Sequence, residues 1–134
     1  MSRPWHSVEL MTDASEEGWG GISFPHRAGG QWTVRLLTRL DQEEISINYL
    51  ELLAVLWSLQ RFTHLADQVV QLLTDSTSVI SCINHQGSCV PVLMELTIEL
   101  LEFCSLHNII LFPKHLAGKL NRLADMESRT YPVT

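Results

Sequence analysis

The densest apolar stretch of the chain runs from Ile47 to Gln60, Ile-Asn-Tyr-Leu-Glu-Leu-Leu-Ala-Val-Leu-Trp-Ser-Leu-Gln, and contains neither Gly nor Pro. Good helix formers without a breaker predict a helix. Its apolar residues do not fall on one stripe. Leu50, Leu53, Ala54 and Trp57 mark one face, while Leu52, Val55, Leu56 and Leu59 mark its neighbour, so the helix is expected to be buried on several sides. In its midst stands one carboxylate, Glu51. An ionised carboxylate is costly to bury unless it is paired or binds a metal. Taken alone, the plainer reading is a polar strip of Asn48, Glu51 and Ser58 that meets water.

Around this helix the pattern predicts strands and shorter helices. Ser7 to Ala14 reads as a strand, Glu16-Glu17-Gly18 as a turn, and Trp19 to Phe24 as a second strand. Pro25 to Gly30 reads as a loop, and Gln31 to Leu37 as a third strand on its aromatic and β-branched content. The three form an antiparallel meander. A charged connection, Arg39 to Glu44, leads to the Glu51 helix, which is expected to end near Leu65. Gln68 to Thr74 is a fourth strand with little alternation, as suits a central strand covered on both faces. Asp75-Ser76-Thr77-Ser78 offers N-cap chemistry for a short helix over Val79 to His85. Val92 to His107 is a long helix, Ile109 to Phe112 a fifth strand, Pro113 to Gly118 a loop, and Asn121 to Arg129 a last helix. The order βββαβααβα predicts a mixed sheet with helices packed on it, an α/β fold.

Composition narrows the class. At 134 residues, 46% hydrophobic and 18% charged, the chain reads as one globular domain, residues 1–134. No apolar run approaches the ~20 residues of a membrane span, and the start lacks a signal-peptide pattern. Cys82, Cys89 and Cys104 are odd in number and lack a CxxC spacing. They read as reduced thiols of an intracellular (cytoplasmic or nuclear) protein, with Cys82 and Cys104 as helix core residues. A net charge of −6 argues against a strong stand-alone nucleic-acid binder. Even so, Lys114, Lys119, Arg122 and Arg129, four of the nine basic residues, cluster after residue 113 near His115.

The acids then change the picture. Asp13 ends the first strand in Thr12-Asp13-Ala14-Ser15, and Asp75 ends the fourth in Thr74-Asp75-Ser76. A helix crossover would set those strands side by side and parallel. Two carboxylates at adjacent strand ends repel unless a cation separates them. Glu51, on the helix packed over those strands, can supply a third. Oxygen ligands alone suit Mg²⁺ or Mn²⁺, not zinc. Asp125 lies in the first turn of the last helix, where the helix dipole favours an anion. Singly, each aspartate is as well explained as a turn or cap residue, and His115 as a solvated loop histidine.

Together, the strand-end Asp, the helix Glu, the second strand-end Asp and the ending His115-Leu-Ala-Gly118-Lys-Leu-Asn121-Arg-Leu-Ala124-Asp125 resemble the type 1 ribonuclease H domain. The Asn-x-x-Glu-Leu helix, the Thr-Asp-Ser strand end and the Ala-Asp-x-x-Ser-Arg close are most similar to its retroelement branch, LTR or DIRS-like, where the domain follows a reverse transcriptase. The likeness spans Val8 to Arg129. It implies the ribonuclease H-like fold, with five strands and helices on both faces, excised from a larger polyprotein. It implies metal-dependent endonucleolytic hydrolysis of the RNA strand of an RNA–DNA hybrid. Asp13, Glu51, Asp75 and Asp125 would then hold two Mg²⁺ ions, and His115, on a flexible loop, would assist proton transfer or product release. Asn48, Ser15, Ser76 and Asn121 would contact the hybrid, with the reverse transcriptase portion of the same polyprotein as partner. Two departures stand out: Thr77 replaces the Gln common in cellular forms, and no room exists for their basic helical protrusion. A catalytically inactive binding or assembly module on the same fold is the main alternative. Another nuclease of the wider superfamily, or a plain α/β domain with unrelated acids, ranks behind it.

Overall fold

A computed structural model of the chain describes residues 7–116. Five strands form one mixed sheet: β1 (Ser7–Ala14), β2 (Gly18–Ser23), β3 (His26–Gln31), β4 (Val69–Thr74) and β5 (Ile110–His115). Their order across the sheet is β3-β2-β1-β4-β5. β1, β2 and β3 make the antiparallel meander, while β4 pairs parallel with β1 and β5 parallel with β4. The helices are α1 (Val34–Asp41), α2 (Ile47–Arg61), α3 (Thr77–Asn84) and α4 (Pro91–Leu106), with a 3₁₀ turn over Thr63–Leu65. The α/β class and the mixed five-stranded sheet are those the sequence predicts.

Two segments differ from the expectation. β3 occupies His26–Gln31, which reads as a loop, because a two-residue Phe24-Pro25 turn returns the chain at once and pairs Ser23 with His26. Its glycines suit an edge strand lying close to Trp19, whose indole Nε1 is 3.4 Å from where a Cβ on Gly30 would sit. Of the residues expected to be that strand, Gln31 ends β3 and Val34 to Leu37 instead enter α1. The Thr33 hydroxyl accepts the Leu36 N–H at 3.2 Å and caps the helix. Leu36 and Leu40, one turn apart, then reach the core. Capping and i,i+4 spacing outweigh the β propensity of Trp32 and Val34.

β5 also runs further than expected, through Pro113 and Lys114 to His115. A proline normally ends a strand because it lacks an N–H. Here Ile110 N–H donates to Gln68 O at 3.1 Å and Leu116 N–H to Thr74 O at 2.8 Å. The even-numbered residues of β5 therefore direct their amides at β4, and Pro113 falls on the outward-facing series. No ladder bond is lost there. His115 thus sits at a strand end opposite Thr74, not on a loop.

The core lies between the sheet and α2, α3 and α4. Leu10, Val70 and Leu72 on the sheet join Leu50, Leu52, Leu53, Val55, Leu56, Val79, Cys82, Leu93, Leu96, Leu100 and Cys104 from the helices. The alternate sheet residues Met11, Val69, Gln71 and Leu73 are half-buried. The last helix expected over Asn121 to Arg129 lies outside the described residues. Cys82 and Cys104 are buried as anticipated, and burial pushes the Cys104 thiol up to about 11.

α2 is buried along most of its circumference, as its pattern predicts. Ser58 is the exception to the polar strip expected there: it is fully buried, and its hydroxyl has no hydrogen-bond partner among the described residues. It packs against Gly21 of β2, where a Cβ would collide with the Ser58 hydroxyl and stand 2.9 Å from the Ser58 Cβ. Helix and sheet approach this closely because Gly21 has no side chain. Beside this contact, Trp57 meets Trp19 edge-on at 5.8 Å and Trp32 at 5.3 Å between ring centroids, which fixes the helix laterally.

Candidate active site

The parallel pairing of β1 with β4 sets Met11 opposite Leu73, so Asp13, near the end of β1, and Asp75, just past β4, lie at the same end of the sheet. Asp13 is half-buried and still pairs with Gly20 of β2, whereas Asp75 is exposed just past the end of β4. Asp13 also has an interaction partner of its own. β5 brings His115, exposed, alongside Thr74 at the same end of the sheet.

The bend that presents Asp75 is pinned on both sides. The buried Thr74 hydroxyl accepts the Ser76 N–H at 3.1 Å, and the Ser76 hydroxyl accepts the Val79 N–H at 3.2 Å as the N-cap of α3. The same Ser76 side chain lies beside the carboxyl of Glu51 and lowers its pKa. A single buried serine therefore joins the end of β4, the start of α3 and the functional turn of α2.

Glu51 is half-buried on α2. Burial raises its pKa above the ordinary carboxylate value, the negative charge of Asp75 raises it further, and the Ser76 hydrogen bond pulls the other way. Glu51 and Asp75 are thus close enough to repel, which is the arrangement a divalent cation relieves. Both donors are carboxylate oxygens, the chemistry of Mg²⁺ and Mn²⁺. Among the described residues, no three His, Cys, Asp or Glu side chains gather as a ligand set. Asp125 and Asn121, expected to join the site, lie outside the described residues.

The candidate hybrid-contacting residues take different positions. Ser15 is buried in the turn between β1 and β2, where its hydroxyl accepts the Glu17 and Gly18 N–H groups at 3.1 and 3.3 Å. Its carbonyl accepts the Trp32 indole N–H at 2.7 Å, so this turn beside Asp13 is rigid. Ser76 is occupied as described above. Asn48, one helical turn before Glu51, is half-buried and lines a cleft of about 660 Å³.

That cleft runs from Asn48 along α3, past Ser78, Ser81 and His85, to the turn at Gln86 and Ser88 before α4. The turn holds Gln86 at φ 55°, and Gly87 leaves room for the Met94 thioether, which a Cβ there would meet at 2.7 Å. Sequence reasoning took these residues as helix and turn only. Their signal was present as a run of neutral polar groups at helical spacing, Ser78, Ser81 and His85, but its meaning depends on α2 lying alongside. Among the described residues, no lysine, arginine, aspartate or glutamate lines the cleft.

Comparison with known proteins agrees with this architecture. RNase H1 from the halophilic archaeon Halobacterium salinarum NRC-1 superposes with a TM-score of 0.71 at 15% identity, over 92% of this chain and 96% of that one. The compost metagenome enzyme LC11-RNase H1, in complex with an RNA/DNA hybrid, gives a TM-score of 0.65 at 17% identity, over 93% and 96% of the two chains. The foamy viral protease-reverse transcriptase in complex with RNA/DNA hybrid gives 0.60 at 13% identity, with 92% of this chain matching 19% of that one. At such identities the likeness is one of fold. No curated protein matches in sequence. A family model does, the RNase H-like domain found in reverse transcriptase, over residues 3–103. That stretch contains Asp13, Glu51 and Asp75, and the chain belongs to the family of RNase H-like domains found in reverse transcriptases.

Proposed function

We propose that this domain is a divalent-metal-dependent ribonuclease H that cuts the RNA strand of RNA–DNA hybrids during reverse transcription of a retroelement. The observation that carries the reading is the closeness of Glu51 to Asp75 and Ser76, with Asp13 at the same end of the adjacent strand. An isolated structural pair of this kind is a poor stabiliser, since burial and mutual repulsion both work against Glu51. Its persistence is accounted for when the carboxylates serve as ligands.

In this reading Asp13, Glu51 and Asp75, with Asp125, hold Mg²⁺ or Mn²⁺. The bound metal supplies an activated water and neutralises charge on the departing 3′ oxygen. The chain's own residues do the rest. Ser76 fixes the Glu51 carboxyl and Asp75 relative to one another, so the ligands are held before substrate arrives. His115, at the end of the strand next to β4, assists proton transfer or product release in this reading. In this reading Asn48, which lines the cleft, contacts the hybrid together with Ser15, Ser76 and Asn121.

The net charge of −6 and the neutral cleft supply little phosphate attraction, the dominant sequence-independent term in nucleic-acid affinity. Hybrid binding by the domain alone is therefore weak, and the reverse transcriptase portion of the same polyprotein contributes the rest. The test is incubation with a labelled RNA–DNA hybrid and Mg²⁺ or Mn²⁺, beside Glu51→Gln and Asp75→Asn. RNA-strand cleavage that is lost in both variants and in EDTA is the expected result. Absence of cleavage at high enzyme in Mn²⁺, with hybrid binding retained, would make this an inactive binding module.

A further inference from the structure

Trp32 lies between the end of β3 and the start of α1 and is 4% exposed. Its ring reaches two other elements. On one side the indole meets Trp57 of α2 at 5.3 Å between centroids, tilted by 47°. On the other, its Nε1–H donates to the Ser15 carbonyl at 2.7 Å, at the short end of the range for such a bond. The ladder between β1 and β2 ends at Ala14 and Trp19, so the Ser15 carbonyl lies beyond it and takes its donor from the indole. A buried indole N–H needs an acceptor, and the turn supplies it.

Ser15 follows Asp13 by two residues. Their turn is closed on itself: the Ser15 N–H donates to the Gly18 carbonyl at 2.9 Å, and the Ser15 hydroxyl accepts the Glu17 and Gly18 amides. The turn therefore moves as a unit with the end of β1. Trp57 follows Glu51 by six residues on the unbroken helix α2, about 9 Å at ~1.5 Å per residue. The two carboxylates stand on different elements, and Trp32 touches both elements. We propose that Trp32 is a positioning residue that sets the spacing of the Asp13 and Glu51 carboxylates, through the turn on one side and α2 on the other. The inference rests on the ribonuclease H reading above, in which both carboxylates are metal ligands. Mg²⁺ demands near-ideal octahedral geometry with ligands at about 2.0–2.1 Å, so a small shift of β1 against α2 weakens its binding.

The experiment replaces Trp32 by 3-benzothienylalanine, in which sulfur stands for the indole N–H and the ring shape is kept, and in parallel makes Trp32→Phe. The first readout needs no nucleic acid: the Mg²⁺ concentration at half-saturation of the rise in melting temperature. Both variants are expected to need about tenfold more Mg²⁺, the effect of losing a group that orients metal ligands. At subsaturating Mg²⁺, kcat on an RNA–DNA hybrid falls by a similar factor and recovers as Mg²⁺ is raised, while KM for the hybrid stays within about twofold. Leu100→Val, a core change on α4, is the matched control: it lowers the melting temperature in EDTA and leaves the Mg²⁺ half-saturation unchanged. Should Trp32→Phe fail to fold, the isosteric replacement alone decides. A wild-type Mg²⁺ half-saturation in that replacement, however far its melting temperature in EDTA falls, reduces Trp32 to packing and overturns the proposal. A wild-type chain that neither responds to Mg²⁺ nor cuts hybrid refutes the activity and this inference together. One that does both, with the replacement indistinguishable from it, refutes this inference alone.

Discussion

The contact between Gly21 and Ser58 sets the distance between α2 and the sheet, and Gly21→Ala tests it directly. The added Cβ would collide with the Ser58 hydroxyl and lie 2.9 Å from the Ser58 Cβ, with Phe62 Cε2 at an ordinary 3.6 Å. The hydroxyl can rotate away, but the Cβ is anchored to a helix whose neighbours Val55, Leu56 and Leu59 are fully packed. Overpacking of this kind costs about 1–3 kcal/mol. Removing a strand glycine returns about 0.5–1 kcal/mol in chain entropy. The net expectation is a loss of about 1–2 kcal/mol, seen in urea melts as a lower midpoint at unchanged m-value and in heat as a fall of several degrees. Ser58→Gly opens the space, so Gly21→Ala should cost little in that background, while Ser58→Ala retains the Cβ and should not rescue it. Ser58→Ala alone should stabilise by about 1 kcal/mol, because a buried hydroxyl without a partner is unfavourable. Glu51 lies seven residues, about 10 Å, from Ser58 along the same helix. Cleavage by Gly21→Ala should therefore fall even at temperatures where the chain is folded. Equal cost of Gly21→Ala in the wild-type and Ser58→Gly backgrounds would refute the close-approach argument.

Three further outcomes follow from the site. The folded-state pKa of Glu51 is raised, so its favourable contribution is complete below the ordinary carboxylate value of 4.5 and is lost as pH rises through the raised value. Thermal melts in EDTA should accordingly show Glu51→Gln more stable than wild type at neutral pH and the difference closing toward pH 4; a less stable variant at pH 7 would contradict the assigned burial and repulsion. Mg²⁺ titrated into the wild-type chain should raise its melting temperature with saturation, and Asp75→Asn should abolish most of that rise; an equal rise in both would place the metal elsewhere. Ser76→Ala removes the α3 cap and the hydrogen bond that lowers the Glu51 pKa, so about 1 kcal/mol of stability should go and the acid limb of the pH–rate profile should move upward; an unmoved limb would show that Ser76 acts on the helix alone.

Most of the fold was legible because the sequence states it locally. The unbroken apolar run at Ile47, the continuous β4 and the Asp75-Ser76 cap each announce an element whose structure matches its pattern. Misreadings arose where a residue's meaning depends on a neighbour distant in sequence. The β3 glycines read as a loop until Trp19 and the edge position explain them, and Pro113 read as a strand end until the direction of its backbone was known. Ser58 read as a wet polar residue because nothing in the helix reveals that Gly21 faces it. At the site, the placing of Asp13 and Asp75 at one end of the sheet was foreseeable from the two strand ends and the crossover between them. The place of Ser76 was not, since it rests on bonds that exist only in the folded chain.

Pro113 has a consequence beyond the strand that contains it. Among the described residues β5 is the outer strand of the sheet. An incoming strand would find no amide at Pro113, at the midpoint of the row it must zip against, with charged Lys114 beside it. Lateral growth of the sheet is blocked on this flank. Copies of the domain can thus crowd together without their β5 edges seeding intermolecular strand exchange.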